Sequence, residues 1–153
     1  MKMQTREAGE QLLATPDKVW RRLRCDQRDL PYVQIEENEV IPVRIKSGDK
    51  INHHMVYSLC PPGPTEIVPT HLMREIYYKG NIIFQDANKN YELQPGRWSV
   101  DAFITVSEKA QPGVYSLRIE LDTGKEKITQ NANFVVIHST EESDAIQEEA
   151  GPE

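Results

Sequence analysis

Residues 112–122 read Pro-Gly-Val-Tyr-Ser-Leu-Arg-Ile-Glu-Leu-Asp, the clearest structural pattern in the chain. After the Pro-Gly turn, apolar and polar side chains alternate. The apolar ones are Tyr115, Leu117, Ile119 and Leu121. Because successive side chains of a strand point to opposite faces, the pattern predicts an antiparallel strand with one face buried and the other in water.

The sequence on both sides of this stretch predicts further short strands separated by turns. Upstream, the Pro-Gly turn at residues 95–96 precedes a strand whose buried row is Trp98, Val100, Ala102, Ile104 and Val106. Downstream, a turn at residues 122–124 leads into a last strand that ends at Ile137. Several short strands at regular spacing are typical of a sandwich. We therefore predict an all-β fold, an immunoglobulin-like antiparallel β-sandwich, from about residue 32 to about residue 137.

Weaker patterns fill the first half of this range. Residues 32–60 contain short runs in which apolar side chains alternate with polar ones or follow one another, as in strands. Strands at 73–78 and 81–84 flank Lys79-Gly80, a compact turn that predicts a hairpin. The polar residues 86–90 are predicted to form a loop.

Thr15-Pro16-Asp17 has the features of a helix start, with Thr as the N-cap and Pro in the first helical position. We predict a short helix over about residues 16–24, packed on the sandwich through Trp20. The chain is accordingly divided into an N-terminal segment with this helix (1–29), the sandwich (30–138) and a disordered acidic tail (139–153).

Residues 110–117, Ala-Gln-Pro-Gly-Val-Tyr-Ser-Leu, resemble the corner that leads into the sixth strand of immunoglobulin-like domains. In those domains a Tyr near the strand start hydrogen-bonds back to the preceding turn, and Tyr115 matches that place. The two Pro-Gly turns before Trp98 and Tyr115 are also similar to those of bacterial immunoglobulin-like accessory domains. This resemblance, over about residues 95–137, implies a fold and not a function. Leu117 stands where antibody-type domains have a Cys, so no antibody-like role is carried over.

The charge balance excludes some partners. The chain has 18 basic and 24 acidic residues and a net charge of −6. Such a protein has no general attraction to phosphate backbones, so we expect no nucleic-acid partner. No stretch approaches the roughly 20 apolar residues that cross a bilayer, so we expect no membrane insertion. Residues 1–5 do not resemble a signal peptide, and export would require that a signal had been removed or replaced.

Cys25 and Cys60 are the only cysteines, and each lies at the end of a predicted element. Their spacing is not that of a CxxC motif, and we interpret them as a disulfide that ties the N-terminal segment to the sandwich. The alternative is two buried free thiols. A disulfide favours an oxidising compartment, periplasmic or extracellular, whereas free thiols are compatible with the cytoplasm.

The histidines offer one candidate metal site. His54, Cys60, His71 and Met73 follow the ligand order of cupredoxins, which are copper proteins on a related sandwich. Their spacing does not fit, because cupredoxins place Cys, His and Met in one short loop. No Ser lies in a Gly-flanked turn, and nothing supplies an oxyanion hole for Cys60 and His71. Glu36-Glu37 is interpreted as a solvated edge. We therefore expect no enzyme, no catalytic residue and no cofactor.

Aromatic side chains outside the predicted core offer a binding surface formed by Tyr77, Tyr78 and Phe103. The leading interpretation is an exported, non-catalytic interaction module that acts by protein–protein contact in an envelope assembly. A sheet edge at residues 78–84 or 32–35 would accept a partner strand. A carbohydrate-binding accessory domain that uses the three aromatic residues is the second interpretation. A sandwich that binds copper or another metal is the third.

Overall fold

The computed structural model of the chain describes residues 9–138, which form nine strands and two short helices. The strands are β1 (Glu10–Ala14), β2 (Tyr32–Ile41), β3 (Arg44–Lys46), β4 (Lys50–Cys60), β5 (Val68–Tyr78), β6 (Asn81–Leu93), β7 (Gly96–Thr105), β8 (Gly113–Asp122) and β9 (Lys127–Ile137). The α-helix α1 spans Pro16–Arg22, and a 3-10 helix spans Cys25–Gln27. The predicted acidic tail, 139–153, lies outside the described residues.

The strands form a four-stranded sheet in the order β1-β7-β4-β2 and a five-stranded sheet in the order β3-β9-β8-β5-β6. The two sheets bury a common core, which confirms the all-β sandwich with a short N-terminal helix. One pair departs from the antiparallel prediction. β3 runs parallel to β9, with Arg44 opposite Val135, while every other pair of described strands is antiparallel. The five-stranded sheet is therefore mixed.

Two parts of the chain differ from the local prediction. The polar residues 86–90 belong to β6, where Asp86 lies opposite Arg74, so the predicted loop is wrong. β6 is the last strand of its sheet, and an edge strand exposed to water tolerates a polar sequence. The N-terminal segment also adds a strand to the sandwich, since β1 pairs with β7 from Glu10 opposite Val100. The sequence of β1 does not alternate between apolar and polar residues, so its strand conformation depends on the pairing with β7.

Helix α1 begins as the sequence indicates. The hydroxyl of Thr15 accepts a hydrogen bond from the Lys18 backbone N–H, and Pro16 occupies the first helical turn. Val19 is fully buried, while Trp20 is only half-buried, so Val19 and not Trp20 is the main anchor. Seven residues are too few for a stable helix in water, so packing against the outer face of the four-stranded sheet must hold α1 in place.

A disulfide joins Cys25 and Cys60, with 5.5 Å between their Cα atoms, which confirms the prediction from the sequence. Both residues are buried and share a small outer cluster with Val19 and Leu23. The bond links the 3-10 helix after α1 to the end of β4. It therefore fastens the N-terminal segment to the four-stranded sheet. No described helix has the length and apolar character needed to cross a bilayer.

The sandwich interior contains two hydrophobic clusters with a polar bridge between them, formed by Asn38, His53 and Arg74. The Nε of Arg74 donates to the Nδ1 of His53 at 2.9 Å. The Nε2 of His53 lies 2.5 Å from the Oδ1 of Asn38, and as Nδ1 accepts from Arg74, Nε2 is the donor here. Burial, and then the positive charge of Arg74, lower the pKa of His53 to about 3, so the ring is neutral near pH 7.

Tyr115 makes the hydrogen bond that the resemblance to immunoglobulin-like domains implies. Its hydroxyl donates to the carbonyl oxygen of Gln111 at 2.6 Å. Its ring stacks against Tyr78 and Phe134, with centroid distances of 4.5 Å and 5.4 Å. Burial raises the pKa of the Tyr115 hydroxyl. The corner before β8 is thus held by one bond and two ring contacts.

We expect Tyr115→Phe to lower the free energy of unfolding by about 1–2 kcal/mol, because the Gln111 carbonyl loses its donor while the rings stay in place. Urea denaturation measures the change. Tyr77→Phe is the matched control, since the Tyr77 hydroxyl donates to the side chain of Glu75 on the outer face. That variant is expected to change stability by less than about 0.5 kcal/mol. Equal effects of the two substitutions would contradict a special role for the corner.

Candidate functional site

The three predicted aromatic residues do not form one surface. Tyr77 lies on the outer face of the five-stranded sheet, whereas Phe103 lies on the outer face of the four-stranded sheet. Tyr78 turns into the core, where it stacks on Tyr115 and donates its hydroxyl to the carbonyl oxygen of Pro112 at 2.9 Å. Phe103 is 68% exposed. Of the three, Phe103 alone offers a largely exposed ring.

The four predicted copper ligands are also kept apart. The sulfur of Cys60 is bound in the disulfide and offers no thiolate. His71 and Met73 lie on β5 and point outward from the five-stranded sheet, while His54 points outward from the four-stranded sheet. His54 and His71 are therefore on opposite sides of the sandwich, and the cupredoxin arrangement is not assembled.

Within residues 9–138, the side of the sandwich between β6 and β7 is not closed by a strand along its full length. β7 pairs with β4 as far as Thr105, but it pairs with β1 only as far as Val100. No strand among the described residues pairs with the other edge of β7 from Asp101 to Thr105. Tyr91 of β6 donates a hydrogen bond to Glu10, the first residue of β1, and this bond joins the two sheets at that point. Beyond that point, no strand pairing within residues 9–138 joins the edges of the two sheets along this side.

We name the cleft along this unpaired edge the edge groove. It consists of two adjoining cavities of about 410 and 480 Å³, which share Phe84, Ile104 and Thr105 in their walls. The first is lined mainly by apolar side chains, including Ile76 and Ile83. Ile83 lies on edge strand β6 at a shift in the pairing with β5, and it is 52% exposed. The edge groove thus combines a stretch of β7 backbone that no described strand pairs with and an apolar wall.

Near α1, the outer face of the four-stranded sheet carries a network of salt bridges and hydrogen bonds centred on Glu36. The carboxylate of Glu36 accepts from Arg22 at 2.8 Å, from Arg97 at 2.6 Å and from Ser58 at 2.8 Å. Desolvation by itself would raise the pKa of Glu36, but these hydrogen bonds lower it below its ordinary value. Glu36 therefore connects the last turn of α1 to β4 and β7, and this network is structural.

Farther along the same face, the imidazole of His54 lies among the carboxylates of Glu37, Glu39 and Asp101. Strand pairing places Glu39, His54 and Asp101 in one row across β2, β4 and β7. The Nδ1 of His54 is 2.7 Å from the Oδ1 of Asp101, which also accepts from Asn52 at 3.0 Å. The Nε2 of His54 is 3.5 Å from the Oε1 of Glu37. The hydrogen bonds from His54 and Asn52 lower the pKa of Asp101 in spite of its partial burial.

Sequence reasoning missed this group and selected His54 with different partners. The available signal is the i, i+2 spacing of Glu37 and Glu39, which places both on one face of a strand. Local sequence does not predict that β2 pairs with β4, which carries His54, or that β4 pairs with β7, which carries Asp101. His54 and Asp101 are 47 residues apart.

No protein-family model matches the sequence, and no curated protein matches it. Solved structures do share its fold. Sporulation control protein Spo0M of Bacillus subtilis has a TM-score of 0.51 and 12% identity over 78% of this chain and 56% of that one. A family 123 glycoside hydrolase of Clostridium perfringens has a TM-score of 0.50 and 14% identity over 86% of this chain and 27% of that one.

The alkylpurine DNA glycosylase AlkC of Pseudomonas fluorescens, bound to DNA with an abasic site analog, has a TM-score of 0.50. Its identity is 14% over 69% of this chain and 30% of that one. The chain thus spans just over half of Spo0M and less than a third of the two enzymes. At these identities the likeness shows the sandwich fold alone, because unrelated functions recur on one fold.

Proposed function

We propose that this chain is a non-catalytic interaction module that binds an extended segment of a partner protein along β7, in the edge groove. The observation that carries the proposal is the pairing of β7, which stops at Val100 on one edge and continues to Thr105 on the other. A sheet edge of this kind accepts a further strand through main-chain hydrogen bonds. Of the two edges considered from the sequence, the one at residues 78–84 contributes Tyr78, Ile83 and Phe84 to the opposite wall of the groove.

Pairing of β1 with the same edge supports this mode of binding. β1 runs antiparallel to β7, so the edge already accepts a strand up to Val100. Gly9 already lies against the backbone carbonyl of Asp101, so a partner segment of about four residues would continue that line from Ala102 to Thr105. Alternate side chains of a strand point to opposite faces. One set would therefore enter the groove beside Ile104, and the other would pass the exposed ring of Phe103.

The chemistry of the groove favours an apolar, alternating peptide over a sugar. Its wall beside Ile76, Ile83 and Ile104 is apolar, and burying such surface contributes about 25 cal/mol per Å². A sugar-binding platform would need stacked aromatic rings, and Tyr77, Tyr78 and Phe103 are not brought together. Carbohydrate binding therefore rests on Phe103 alone and is the weaker candidate.

The disulfide supports an exported location for this module. Disulfides persist in oxidising compartments and are rare in the cytosol. We therefore place the protein, as part of the proposal, in a periplasm or outside the cell, within an envelope assembly. A cytoplasmic protein of this sequence would keep Cys25 and Cys60 reduced.

A selection from ten-residue peptides displayed on phage, with the intact chain as bait, tests the proposal. We expect enrichment of sequences that alternate apolar and polar residues. Bound synthetic peptides should slow hydrogen exchange at amides among residues 102–105. Ile83→Asp should weaken binding at least about tenfold, because it buries a charge in the groove wall. Ile82→Asp is the matched control, since Ile82 is equally exposed at 50% but does not line the groove.

Equal binding by the Ile83→Asp and Ile82→Asp variants would overturn the proposal, as would protection of amides elsewhere. A variant lacking residues 1–8 forms a further arm of the experiment. If peptides bind only that variant, the groove is covered by the N-terminus of the chain itself and the proposal is wrong. Binding of soluble oligosaccharide, lost on Phe103→Ala, would instead favour the carbohydrate alternative.

A further inference from the structure

We propose that Glu37, Glu39 and His54 bind one divalent transition-metal ion, of the Zn²⁺ class, on the outer face of the four-stranded sheet. This inference is independent of the edge groove. One ligand atom from each residue lies within 4.8 Å of the others. Three protein ligands and a water are a common coordination set for zinc. Tetrahedral ligands with bonds of about 2.0–2.2 Å lie roughly 3.4 Å from one another. The Nε2 of His54 and the Oε1 of Glu37 are already 3.5 Å apart, so it is chiefly Glu39 that has to approach on binding.

The backbone brings the ligands to one place. Glu39 and His54 are direct partners in the pairing of β2 with β4, and Glu37 follows a bulge in β2. Directly opposite side chains have Cβ atoms about 4.5–5.5 Å apart. The two glutamates are exposed, so their carboxylates can rotate toward the imidazole without disturbing the core.

A group outside the three ligands orients the imidazole. Asp101 accepts a hydrogen bond from the Nδ1–H of His54 at 2.7 Å, which leaves the Nε2 lone pair directed to the side of the glutamates. Asn52 in turn holds the same oxygen of Asp101 at 3.0 Å. A carboxylate behind a histidine in this way is the usual second layer of zinc sites, where it fixes the tautomer and raises the basicity of the ligand.

The local charge also favours a cation. Glu36 engages the nearest guanidinium groups, with Arg22 at 2.8 Å and Arg97 at 2.6 Å. Arg97 reaches Glu37 at only 3.8 Å. Glu37, Glu39 and Asp101 thus surround one imidazole, with little compensating positive charge among residues 9–138. Imidazole with carboxylates selects zinc, nickel or cobalt over calcium and magnesium, which prefer oxygen ligands alone.

Calorimetric titration of the purified chain, after treatment with a chelator, with ZnCl₂ tests the site. We expect one ion per chain and a rise in melting temperature with zinc. His54→Asn and Glu39→Gln should each weaken binding at least about tenfold. His71→Asn is the matched control, because His71 is an outward-facing histidine on the opposite sheet, and it should leave the affinity unchanged.

Asp101→Asn separates a positioning role from a structural one. We expect it to weaken zinc binding about 10- to 100-fold while leaving the melting temperature of the zinc-free protein nearly unchanged. A stoichiometry well below one ion, or the same loss in His71→Asn as in His54→Asn, would refute the site. Calcium binding that is unaffected by His54→Asn would show an oxygen-only site and would also refute the proposal.

Discussion

Replacing Cys25 and Cys60 together by alanine is expected to lower the free energy of unfolding by about 3–4 kcal/mol. The bond closes a loop of 35 residues, and opening it restores conformational freedom to the unfolded chain. Native proteins are stable by only about 5–15 kcal/mol, so the variant loses a large share of the total. Urea denaturation of both proteins, monitored by circular dichroism, measures the difference.

The double substitution removes the bond and also the volume of two sulfur atoms. Urea denaturation of the parent protein, with and without reductant, separates these two effects. Reduction keeps both sulfur atoms and opens only the bond, so its effect should approach that of the double substitution. Helix α1 should separate from the sheet first, because seven residues do not form a stable helix alone. Two reactive thiols in the denatured, unreduced protein, or a loss below about 1 kcal/mol, would contradict this account.

Acidification from pH 7 to pH 5 is expected to cost about 2 kcal/mol of stability through His53 alone. The pKa of His53 is about 3 in the folded protein, against an ordinary value of 6.5. As the pH falls below 6.5, the unfolded chain takes up the proton first, which favours unfolding. The contribution of neutral His53 is therefore complete above about pH 6.5 and is lost as the pH falls toward 3.

His53→Gln isolates this effect. Glutamine keeps an acceptor for Arg74 but has no group that titrates in this range, so the variant should lose about 2 kcal/mol less than the parent between pH 7 and pH 5. The lowered pKa values of Glu36 and Asp101 act in the same direction, chiefly below pH 5, and both proteins share them. Parallel stability curves for the two proteins between pH 7 and pH 5 would show that His53 is not held neutral by the fold.

The two proposed binding surfaces meet at Asp101. Its side chain orients His54 on the outer face, and its backbone immediately precedes the part of β7, from Ala102 to Thr105, that no described strand pairs with on this edge. The tests remain separable, because Ile83 lies on the five-stranded sheet and is not one of the proposed ligands, and His54 does not line the groove.

The sequence alone determined those features that depend on residues close to one another in the chain. The alternation in residues 113–122 predicts β8, because a period of two appears within a single strand. The Lys79-Gly80 turn has positive φ at both residues, 52° and 83°, which suits a tight hairpin between β5 and β6. The N-cap at Thr15 and the bond made by Tyr115 likewise depend on neighbours within four residues.

Only the tertiary structure decided the rest, because it depends on which distant strands lie side by side. β1 and the polar part of β6 are strands since a neighbour offers unpaired backbone, and no pattern of their own predicts them. The Arg74–His53 bond joins the two sheets, and the row through Glu39, His54 and Asp101 crosses three strands. A shift of one residue in any pairing would turn these side chains to the opposite face, and local sequence does not fix that register.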